Sequence, residues 1–360
     1  MSADLHLEHV DGRAHALGSD GHSPSLDGHA PGPVAGIDIG GTKIALLIVD
    51  ASGAVLGRAT HTSSVGDQDG AASAIAAVLD DALARASLSR HDLRAIGVGV
   101  PGRVDPLAGR VTLAVNLGWT DFALRAALEG TLGRPVVIEN DARAAAIGLH
   151  RRRAHASTEP QGVHDLAYLA VGTGIAAGLI LDDRLHRGAR GLAGEIGHVI
   201  VEPAGPRCAC GQRGCLEAFA SGPSVARRAR EAGIDVESAK DVYTAAATGD
   251  ARAQDLVDDV GRRLAWAIHL LVLTYDVERV VVGGGVSHAG EPFERPLRRE
   301  LERLRAASPQ AGELLPADIV EVLAPEAEAG AWGAVAVASP DRTSAPAAER
   351  TRGSEVVRHG

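Results

Sequence analysis

Two stretches of the chain share one pattern, in which an apolar run, a glycine turn and a second apolar run follow one another. The first is VAGIDIGGTKIALLIVD at 34–50, and the second is LAYLAVGTGIAAGLIL at 166–181. Apolar runs on both sides of a tight turn predict two paired strands. Because one copy lies in each half of the chain, the pattern indicates a duplicated architecture.

A third glycine cluster and two helical patterns complete the outline. The glycines at 283–285 follow an apolar strand at 280–282. Helices are predicted at 69–85 and 251–273, and the second carries an apolar stripe at helical spacing that is expected to be core. Strand and helix patterns alternate along the chain, which favours an α/β fold over separate all-α or all-β domains.

Three polar segments carry no such pattern. Residues 1–32 hold five of the 15 histidines, and residues 340–360 have the same polar character. Both are predicted to be disordered tails, with weak metal binding as the alternative for the first. The arginines at 151–153 are predicted to lie in a solvated loop.

Length and charge narrow the class of protein. A chain of 360 residues fits about two domains, and aromatic residues make up only 2%, so the cores must consist of Ala, Val, Leu and Ile. The net charge of -10 is unfavourable for binding DNA or RNA. Neither a membrane-spanning run nor a signal-peptide pattern is present, so a cytoplasmic location without membrane contact is expected.

The glycine turns are candidates for binding phosphate. Successive backbone N–H groups of a tight turn converge on anions, and glycine permits a close approach. The hydroxyls of Thr42 and Thr173 would add donors, and Lys43 would add a positive charge. Asp38 could hold Mg²⁺ directly or through water, since Mg²⁺ favours a few carboxylates plus phosphate oxygens. Ordinary hairpin turns are the alternative, and the matched pair favours a nucleotide clamp.

One segment matches a competing nucleotide-binding motif, but only in the spacing of its glycines. GVGVPG at 97–102 has the glycine spacing of a dinucleotide-binding turn and follows a predicted strand. Such a site needs a helix directly after the glycines, and the PGRVDP that follows is typical of a loop. The motif therefore carries little weight.

All three cysteines lie within eight residues, at Cys208, Cys210 and Cys215, downstream of His198. Three thiolates and one imidazole form a closed tetrahedral zinc set, which leaves no position open for water. The sequence therefore predicts a zinc ion that shapes the loop and does not attack a substrate. Free thiols near a histidine are the alternative.

Acidic residues flank this cysteine loop on both sides. Glu195 precedes His198 by three residues, and Glu217 follows Cys215 by two. A zinc loop would hold both carboxylates at a fixed geometry, and His198 could bind zinc through one ring nitrogen and a ligand through the other. Two acids and an imidazole suit the hydroxyls of a sugar, whereas ordinary surface charges are the alternative.

A candidate general base follows an apolar strand in the first half. VVIEN at 136–140 leads into Asp141 and then a helix. Asp141 could cap that helix, or it could act as a base at the carboxyl end of a strand, where α/β folds place their ligands. Both roles need the same carboxylate oxygens, so the residues alone leave the choice open.

These motifs together resemble the ROK (repressor, ORF, kinase) family of bacterial sugar kinases and sugar-responsive repressors. The likeness covers about residues 34–338, and its most specific part is the cysteine pattern with a Gly-Glu-x-Gly-His upstream. The motifs that carry it are DIGGTK, GVPG, ENDA, GTG, GEIGH, CACGQRGCLE, GGG and GAWGA.

The resemblance implies an actin-like ATPase (ribonuclease H-like) fold with two α/β domains and a cleft between them. The expected boundaries are a small domain at 33–140, a larger one at 141–324 with its zinc loop at 198–217, and a last helix at about 325–339. That helix is expected to pack on or near the small domain. A homodimer or homotetramer is expected from the family alone.

The resemblance also implies roles for individual residues. Asp141 is similar to the base that takes the proton of the sugar 6-hydroxyl, and Mg²⁺ with ATP is the implied donor. The implied sugar-binding residues are Gly102, Asn116, Asn140, Asp141, Glu195, His198 and Glu217. The implied nucleotide-binding residues are Asp38, Gly40, Gly41, Thr42, Lys43, Thr173, Gly174 and Gly284. The implied zinc ligands are His198, Cys208, Cys210 and Cys215.

The expected activity is that of an ATP-dependent hexose kinase of the glucokinase-like branch. Kinases for N-acetylmannosamine or N-acetylglucosamine are the alternative, and a non-catalytic sugar sensor is a second one. Family repressors carry an additional DNA-binding domain at the N-terminus, for which the 33 residues before the first strand offer neither length nor pattern. Polyphosphate is an alternative donor. Arg143, where the family usually has Asn, could touch phosphate, pair with an acid or face solvent.

Overall fold

The structure is a computed structural model that describes residues 32–41, 43–62, 65, 67–156 and 162–339. The predicted tails, apart from Gly32, and the predicted nucleotide ligand Thr42 lie outside these residues.

The first part of the chain folds as strands interrupted by helices. The strands are β1 (Val34–Ile39), β2 (Lys43–Val49), β3 (Val55–Thr62), β4 (Ala95–Val100), β5 (Arg103–Asp105), β6 (Arg110–Ala114), β7 (Trp119–Phe122) and β8 (Val136–Asn140). The helices are α1 (Gln68–Arg85), α2 (Leu124–Leu132) and α3 (Asp141–Ala156). The predicted hairpin at the first glycine turn is β1–β2, and α1 is the predicted helix at 69–85.

The second part repeats the opening hairpin and adds more helices. The strands are β9 (Leu166–Val171), β10 (Ile175–Leu181), β11 (Arg184–Leu185), β12 (Arg279–Gly283) and β13 (Val320–Val322). The helices are α4 (Glu217–Ala220), α5 (Gly222–Glu231), α6 (Ala239–Ala247), α7 (Ala251–Tyr275), α8 (Glu291–Arg305), α9 (Pro309–Leu314) and α10 (Ala329–Ala338).

Two five-stranded sheets have the same topology. The first has the strand order β3-β2-β1-β4-β8, and the second has the order β11-β10-β9-β12-β13. In each, the first three strands of the chain pair antiparallel and the remaining two join in parallel. A three-stranded sheet, β5-β6-β7, is inserted between β4 and β8 of the first. The predicted α/β class and the duplication are therefore confirmed.

The helix that follows each sheet packs on the other sheet. Helix α3 follows β8 but packs on β9 and β10, whereas α10 follows β13 but packs on β1 and β4. Glycine makes the second contact possible, because a Cβ at Gly36 or Gly97 would overlap the backbone of α10. The two helices also touch each other at Gly148 and Gly333. This exchange holds the two sheets together around one cleft.

The cores consist mainly of aliphatic side chains, as the composition predicts, with a few aromatic ones such as Trp119 and Phe293. The stripe on α7 is buried as predicted, with Val260, Leu264 and Ile268 fully inaccessible to solvent. The prediction of a solvated loop at 151–153 is wrong, since these arginines belong to α3. Arg151 donates to the carbonyl oxygens of Ala336 and Ser339, so the positive run ties α3 to the end of α10.

Candidate active site

A cleft of about 1460 Å³ lies between the two sheets and gathers the predicted site residues from distant parts of the chain. Of the predicted site residues that the structure describes, all except Cys208 and Cys215 line this cleft. The predicted residues that line it are Asp38, Gly40, Gly41, Lys43, Gly102, Asn116, Asn140, Asp141, Thr173, Gly174, Glu195, His198, Cys210, Glu217 and Gly284.

Asp141 is the first residue of α3 and follows β8 directly. Its Oδ1 accepts hydrogen bonds from the backbone N–H of Ala142 (2.8 Å) and from Nδ2 of Asn140 (3.0 Å). Within the described residues Oδ2 accepts none. The two roles that the sequence left open are thus divided between the two oxygens, because one anchors the carboxylate and the other stays available to a ligand.

The environment of Asp141 favours proton uptake. Burial raises the pKa of the Asp141 carboxyl, and the charge of Glu195 raises it further. The hydrogen bond from Ala142 and the positive charge of Arg143 act in the opposite direction. A carboxylate whose pKa is raised towards neutrality is a better base for a hydroxyl proton.

Asn140 connects the base to the turn that follows β4. Its Nδ2 donates to the carbonyl oxygen of Gly102 (3.1 Å), and its Oδ1 accepts from the backbone N–H of Arg143 (3.1 Å). Gly102 has a φ of +92°, and a Cβ there would meet the backbone of Leu113 and Ala114. Only glycine therefore allows this turn to lie against β6.

Asp38 lies at the floor of the cleft, close to Asp141. Gly99 on β4 separates them, since a Cβ at Gly99 would lie 3.4 Å from Oδ1 of Asp38 and 3.5 Å from Cα of Asp141. Burial raises the pKa of Asp38 to about 7, Asp141 raises it too, and Lys43 opposes both. Two half-buried carboxylates this close repel each other, and a bound cation would relieve that repulsion.

The two glycine turns face each other across the cleft. A Cβ at Gly41 would lie 3.1 Å from the hydroxyl oxygen of Thr173. The second turn is closed by a hydrogen bond from the N–H of Gly172 to the carbonyl oxygen of Gly174 (2.9 Å). Gly284, at φ +97°, packs against Val171 beside this turn.

Glu217 and Asn116 meet at Gly174. Glu217 Oε2 accepts the backbone N–H of Ile175 (2.8 Å), which fixes the carboxylate against the second turn. A Cβ at Gly174 would lie 2.8 Å from that oxygen and 3.9 Å from Nδ2 of Asn116. The glycine thus allows Asn116, in the connection between β6 and β7, to lie close to Glu217 at the start of α4.

His198, Cys208, Cys210 and Cys215 form a set of potential metal ligands whose donor atoms all lie within 4.8 Å of one another. The Cys208 sulfur is 3.8 Å from Nδ1 of His198, and the Cys210 and Cys215 sulfurs are 3.7 Å apart. A tetrahedron with metal–sulfur bonds of about 2.3 Å has edges of about 3.8 Å. The geometry therefore fits a four-coordinate ion.

His198 joins this metal set to the cleft. While Nδ1 faces Cys208, Nε2 lies 3.8 Å from Oε2 of Glu195. Oε1 of Glu217 lies 3.8 Å from the Cys208 sulfur. The predicted acidic residues on both sides of the cysteine loop are thus held at the edge of the metal set, and both line the cleft.

Comparison with known proteins identifies the family. The sequence profile of the ROK family matches residues 34–340. The chain belongs to the ROK family. A glucokinase of Halalkalibacterium halodurans is 35% identical over 285 residues, which is 74% of this chain and 84% of that protein. A putative xylose repressor of a Caldicellulosiruptor species is 31% identical over 282 residues, or 74% of this chain and 69% of the repressor.

A solved ROK structure has the same fold. The crystal structure of a ROK family glucokinase from Streptomyces griseus, in complex with glucose and AMPPNP, is 33% identical and superposes with a TM-score of 0.71. The match covers 85% of this chain and 99% of that chain. The predicted actin-like fold is therefore confirmed. No helix in the described part of the chain is long and apolar enough to cross a membrane.

Tyr168 and Gly330 line the cleft of this ROK protein although no motif predicted them. Tyr168 interrupts the apolar run of β9 and is 5% exposed, and its hydroxyl makes no hydrogen bond within the described residues. A Cβ at Gly330 would overlap the Asp38 carboxylate, so glycine lets that acid reach the first turn of α10. A polar residue inside an apolar strand was the only available signal for Tyr168.

Arg143 is buried, although the sequence left a solvent-facing position open. Its guanidinium lies 3.3 Å from the carboxylate of Glu139, and the two side chains are 3% and 1% exposed. Pairing with an acid is therefore the correct one of the three alternatives. Glu139 lies at the end of β8, just before the candidate base.

Proposed function

We propose that this protein is an ATP-dependent glucokinase in which Asp141 is the general base. The observation that carries the proposal is the Oδ2 of Asp141, which accepts no hydrogen bond from the residues that the structure describes, in a cleft where two glycine turns face each other. The glucokinase relatives at 35% and 33% identity support it. N-acetylmannosamine and N-acetylglucosamine remain alternative acceptors that the substrate panel below separates.

The sugar would bind at the end of the cleft that holds Asp141. Asn140, Glu195, His198 and Glu217 would accept and donate hydrogen bonds to its hydroxyls, with Gly102 and Asn116 at the edge of the pocket. Because Asn140 and Glu217 are each fixed by backbone hydrogen bonds, the site is preorganised. The 6-hydroxyl would then lie beside Oδ2 of Asp141.

The reaction is a phosphoryl transfer. The 6-hydroxyl proton moves to Oδ2 of Asp141, the sugar oxygen forms a bond to the γ-phosphorus, and the bond from that phosphorus to the bridging oxygen of ADP breaks. The backbone N–H groups of the two turns, with Lys43 and Thr173, would hold the phosphates. Mg²⁺ bound with ATP supplies positive charge for the transferred group, and Asp38 is the residue that would hold it.

The ion in the cysteine loop is proposed to be Zn²⁺. Three thiolates and one imidazole are the donor set that structural zinc prefers, and their spacing fits its bond lengths. Its part would be to hold His198 and Glu217 at the sugar, since all four positions are filled by protein. A cytoplasmic location and a homodimer or homotetramer stay predictions from the sequence and the family.

The test is a coupled assay of ADP release with Mg-ATP over a panel of hexoses and N-acetylhexosamines. Glucose is expected to give the highest kcat/KM. Higher turnover on an N-acetylhexosamine would replace glucose as the acceptor, and absence of turnover on every sugar would contradict the kinase. Repeating the panel with polyphosphate in place of ATP separates the two donors.

A further inference from the structure

An ion-pair bridge built on a buried carboxylate lies behind the candidate base. Glu139 at the end of β8 is 1% exposed, and its carboxylate binds two guanidinium groups. One is that of Arg143 on α3, at 3.3 Å from Oε1, and the other is that of Arg187, which donates twice to Oε2 at 3.0 and 2.8 Å. We call these three residues the arginine bridge.

The arginine bridge reaches a glycine-rich loop, which is also fixed to β10 at its end, where Gly194 accepts the N–H of Ala177 (2.7 Å). Residues 187–194 contain three glycines with positive φ, namely Gly188, Gly191 and Gly194. Such a segment has high conformational freedom and must be held by specific contacts. Arg187 begins the loop and binds Glu139, and Arg143 donates to the carbonyl oxygen of Gly191 (3.2 Å).

The loop leads directly into the proposed sugar site. Glu195 follows Gly194 and lines the cleft, where its charge acts on Asp141. At the other end of the bridge, Glu139 Oε1 accepts the backbone N–H of Asn140 (2.9 Å), the residue before Asp141. The same buried carboxylate therefore contacts the strand of the base and the loop of the opposing acid.

We propose that Arg143 and Arg187 are positioning residues. They hold Glu195 at a fixed distance from Asn140 and Asp141, so that the sugar can contact both sides of its pocket at once. This inference rests on the proposed function. Neither arginine lines the cleft. Arg187 acts through Glu139, and Arg143 acts through Glu139 and through the carbonyl oxygen of Gly191. The loop ends on the strand that follows the second glycine turn, where the carbonyl oxygen of Gly194 accepts the N–H of Ala177 (2.7 Å). The side chains of Arg143 and Arg187 bind Glu139 and Gly191 instead, so the bridge is expected to affect binding of the sugar far more than binding of Mg-ATP.

The test uses steady-state kinetics of the full-length protein carrying Arg187→Met, which keeps the aliphatic stem and removes the charge. KM for glucose is expected to rise by about tenfold, while KM for Mg-ATP changes by less than about twofold, because a loop displaced by about 1 Å misplaces only the sugar. Arg187→Lys is expected to restore part of the glucose affinity, since lysine keeps the charge but loses the bidentate geometry.

A double-mutant cycle shows whether both arginines act through Glu139. Arg143→Met is expected to raise KM for glucose in the same way, and the double variant is expected to fall short of the product of the single effects. Arg153→Met is the matched control, because Arg153 also lies on α3 and pairs with an acid, Glu321, but lies outside the cleft lining. It should leave both KM values unchanged.

Amide hydrogen exchange of the substrate-free protein gives a readout independent of activity. Exchange at 187–194 is expected to be faster in Arg187→Met and Arg143→Met than in wild type or Arg153→Met. Unchanged exchange and unchanged KM for glucose would overturn the inference, and so would an equal rise of both KM values. A wild-type protein that is inactive on all sugars would contradict the proposed function instead. The exchange rates would still show whether the two arginines hold the loop at 187–194.

Discussion

The two five-stranded sheets share one topology but present different residues at the cleft. In the first sheet, the position two residues before the glycine turn is the half-buried acid Asp38. In the second, the corresponding position is Ala170, since β1–β2 and β9–β10 end in equivalent pairs, Ile39–Ile44 and Val171–Ile175. The backbone is repeated, whereas the charged group is not.

The same asymmetry holds for the helices that follow the sheets. Helix α3 begins with the acid Asp141, and α10 begins with Ala329 and Gly330. Because Gly330 has no side chain, α10 lies directly against the carboxylate of Asp38. The first part of the chain thus supplies Asp38 and Asp141, and the second supplies the cysteine loop with Glu195 and Glu217, while each part supplies one glycine turn. A duplicated fold needs only one copy of each chemical group when a single cleft serves both halves.

The largest effect is expected at the acid that starts α3. Asp141→Asn should leave sugar binding largely intact and lower kcat by at least about a hundredfold, since a positioned base contributes about 10²–10⁴-fold. Coupled ADP release and glucose calorimetry measure the two quantities. Turnover close to wild type would remove Asp141 from the base role.

Replacing Asp38, the acid that has no counterpart in the second sheet, should change both the activity and the stability of the protein. Asp38→Asn is expected to lower kcat by at least about tenfold, because a carboxylate beside the phosphates is lost. It should also make the protein more stable at pH 8 in the presence of a chelator. Burial raises the pKa of Asp38 from 3.8 to about 7, so the wild-type protein loses stability as pH rises between these values.

Denaturant unfolding across pH checks the second effect. The shift in pKa sets an upper limit of about 4 kcal/mol for the gain in Asp38→Asn above pH 7. The gain should become small near pH 4 and vanish well below 3.8, where Asp38 is protonated in both the folded and unfolded protein. A gain that is constant across pH would show that Asp38 is not buried as a titrating acid.

The cysteine loop, which has no counterpart in the first sheet, should control sugar affinity. Cys210→Ser is expected to lose the metal and to raise KM for glucose by about tenfold, because His198 and Glu217 lose their fixed geometry. Metal content and kinetics are measured on the same preparation. Gln212→Ala, which removes only a donor to the Cys210 sulfur, is the control and should keep the metal. A metal-free variant with normal glucose affinity would show that the ion does not shape the sugar pocket.

The close approach of α10 to Asp38 predicts a smaller effect. Gly330→Ala would place a methyl group on the Asp38 carboxylate, and displacement of that acid should lower kcat by about fivefold. Gly130→Ala on α2 is the matched control, since its Cβ would meet nothing within 4 Å. Equal kcat values for the two variants would contradict the contact.

The smallest effect is expected at Tyr168 on the second sheet. Burial and the charges of Asp38 and Asp141 raise the pKa of its hydroxyl, so it stays protonated and can donate in the cleft. Tyr168→Phe should lower kcat by about twofold to fivefold, the size expected for one hydrogen bond. Tyr243→Phe is the control, because that buried hydroxyl lacks a partner in the described part of the chain and lies outside the cleft lining.

Short-range patterns were enough to predict the two hairpins and the metal set. An apolar run on each side of a glycine turn admits few conformations, so β1–β2 and β9–β10 followed from local sequence. Three cysteines within eight residues likewise constrained one another, and His198 joins them at 3.8 Å from Cys208. Such predictions succeed because the residues involved are neighbours in the chain.

The sequence by itself determined the strand–turn–strand repeat, the set of potential metal ligands in the cysteine loop and the candidates for base and phosphate binding. Only the tertiary structure decided that Gly41 meets Thr173, that Oδ2 of Asp141 is the free oxygen, and that Arg143 is buried against Glu139. These contacts join segments that lie far apart in the chain or depend on which side chains are buried. No periodicity encodes them, because they arise from how the exchanged helices α3 and α10 bring the two sheets together.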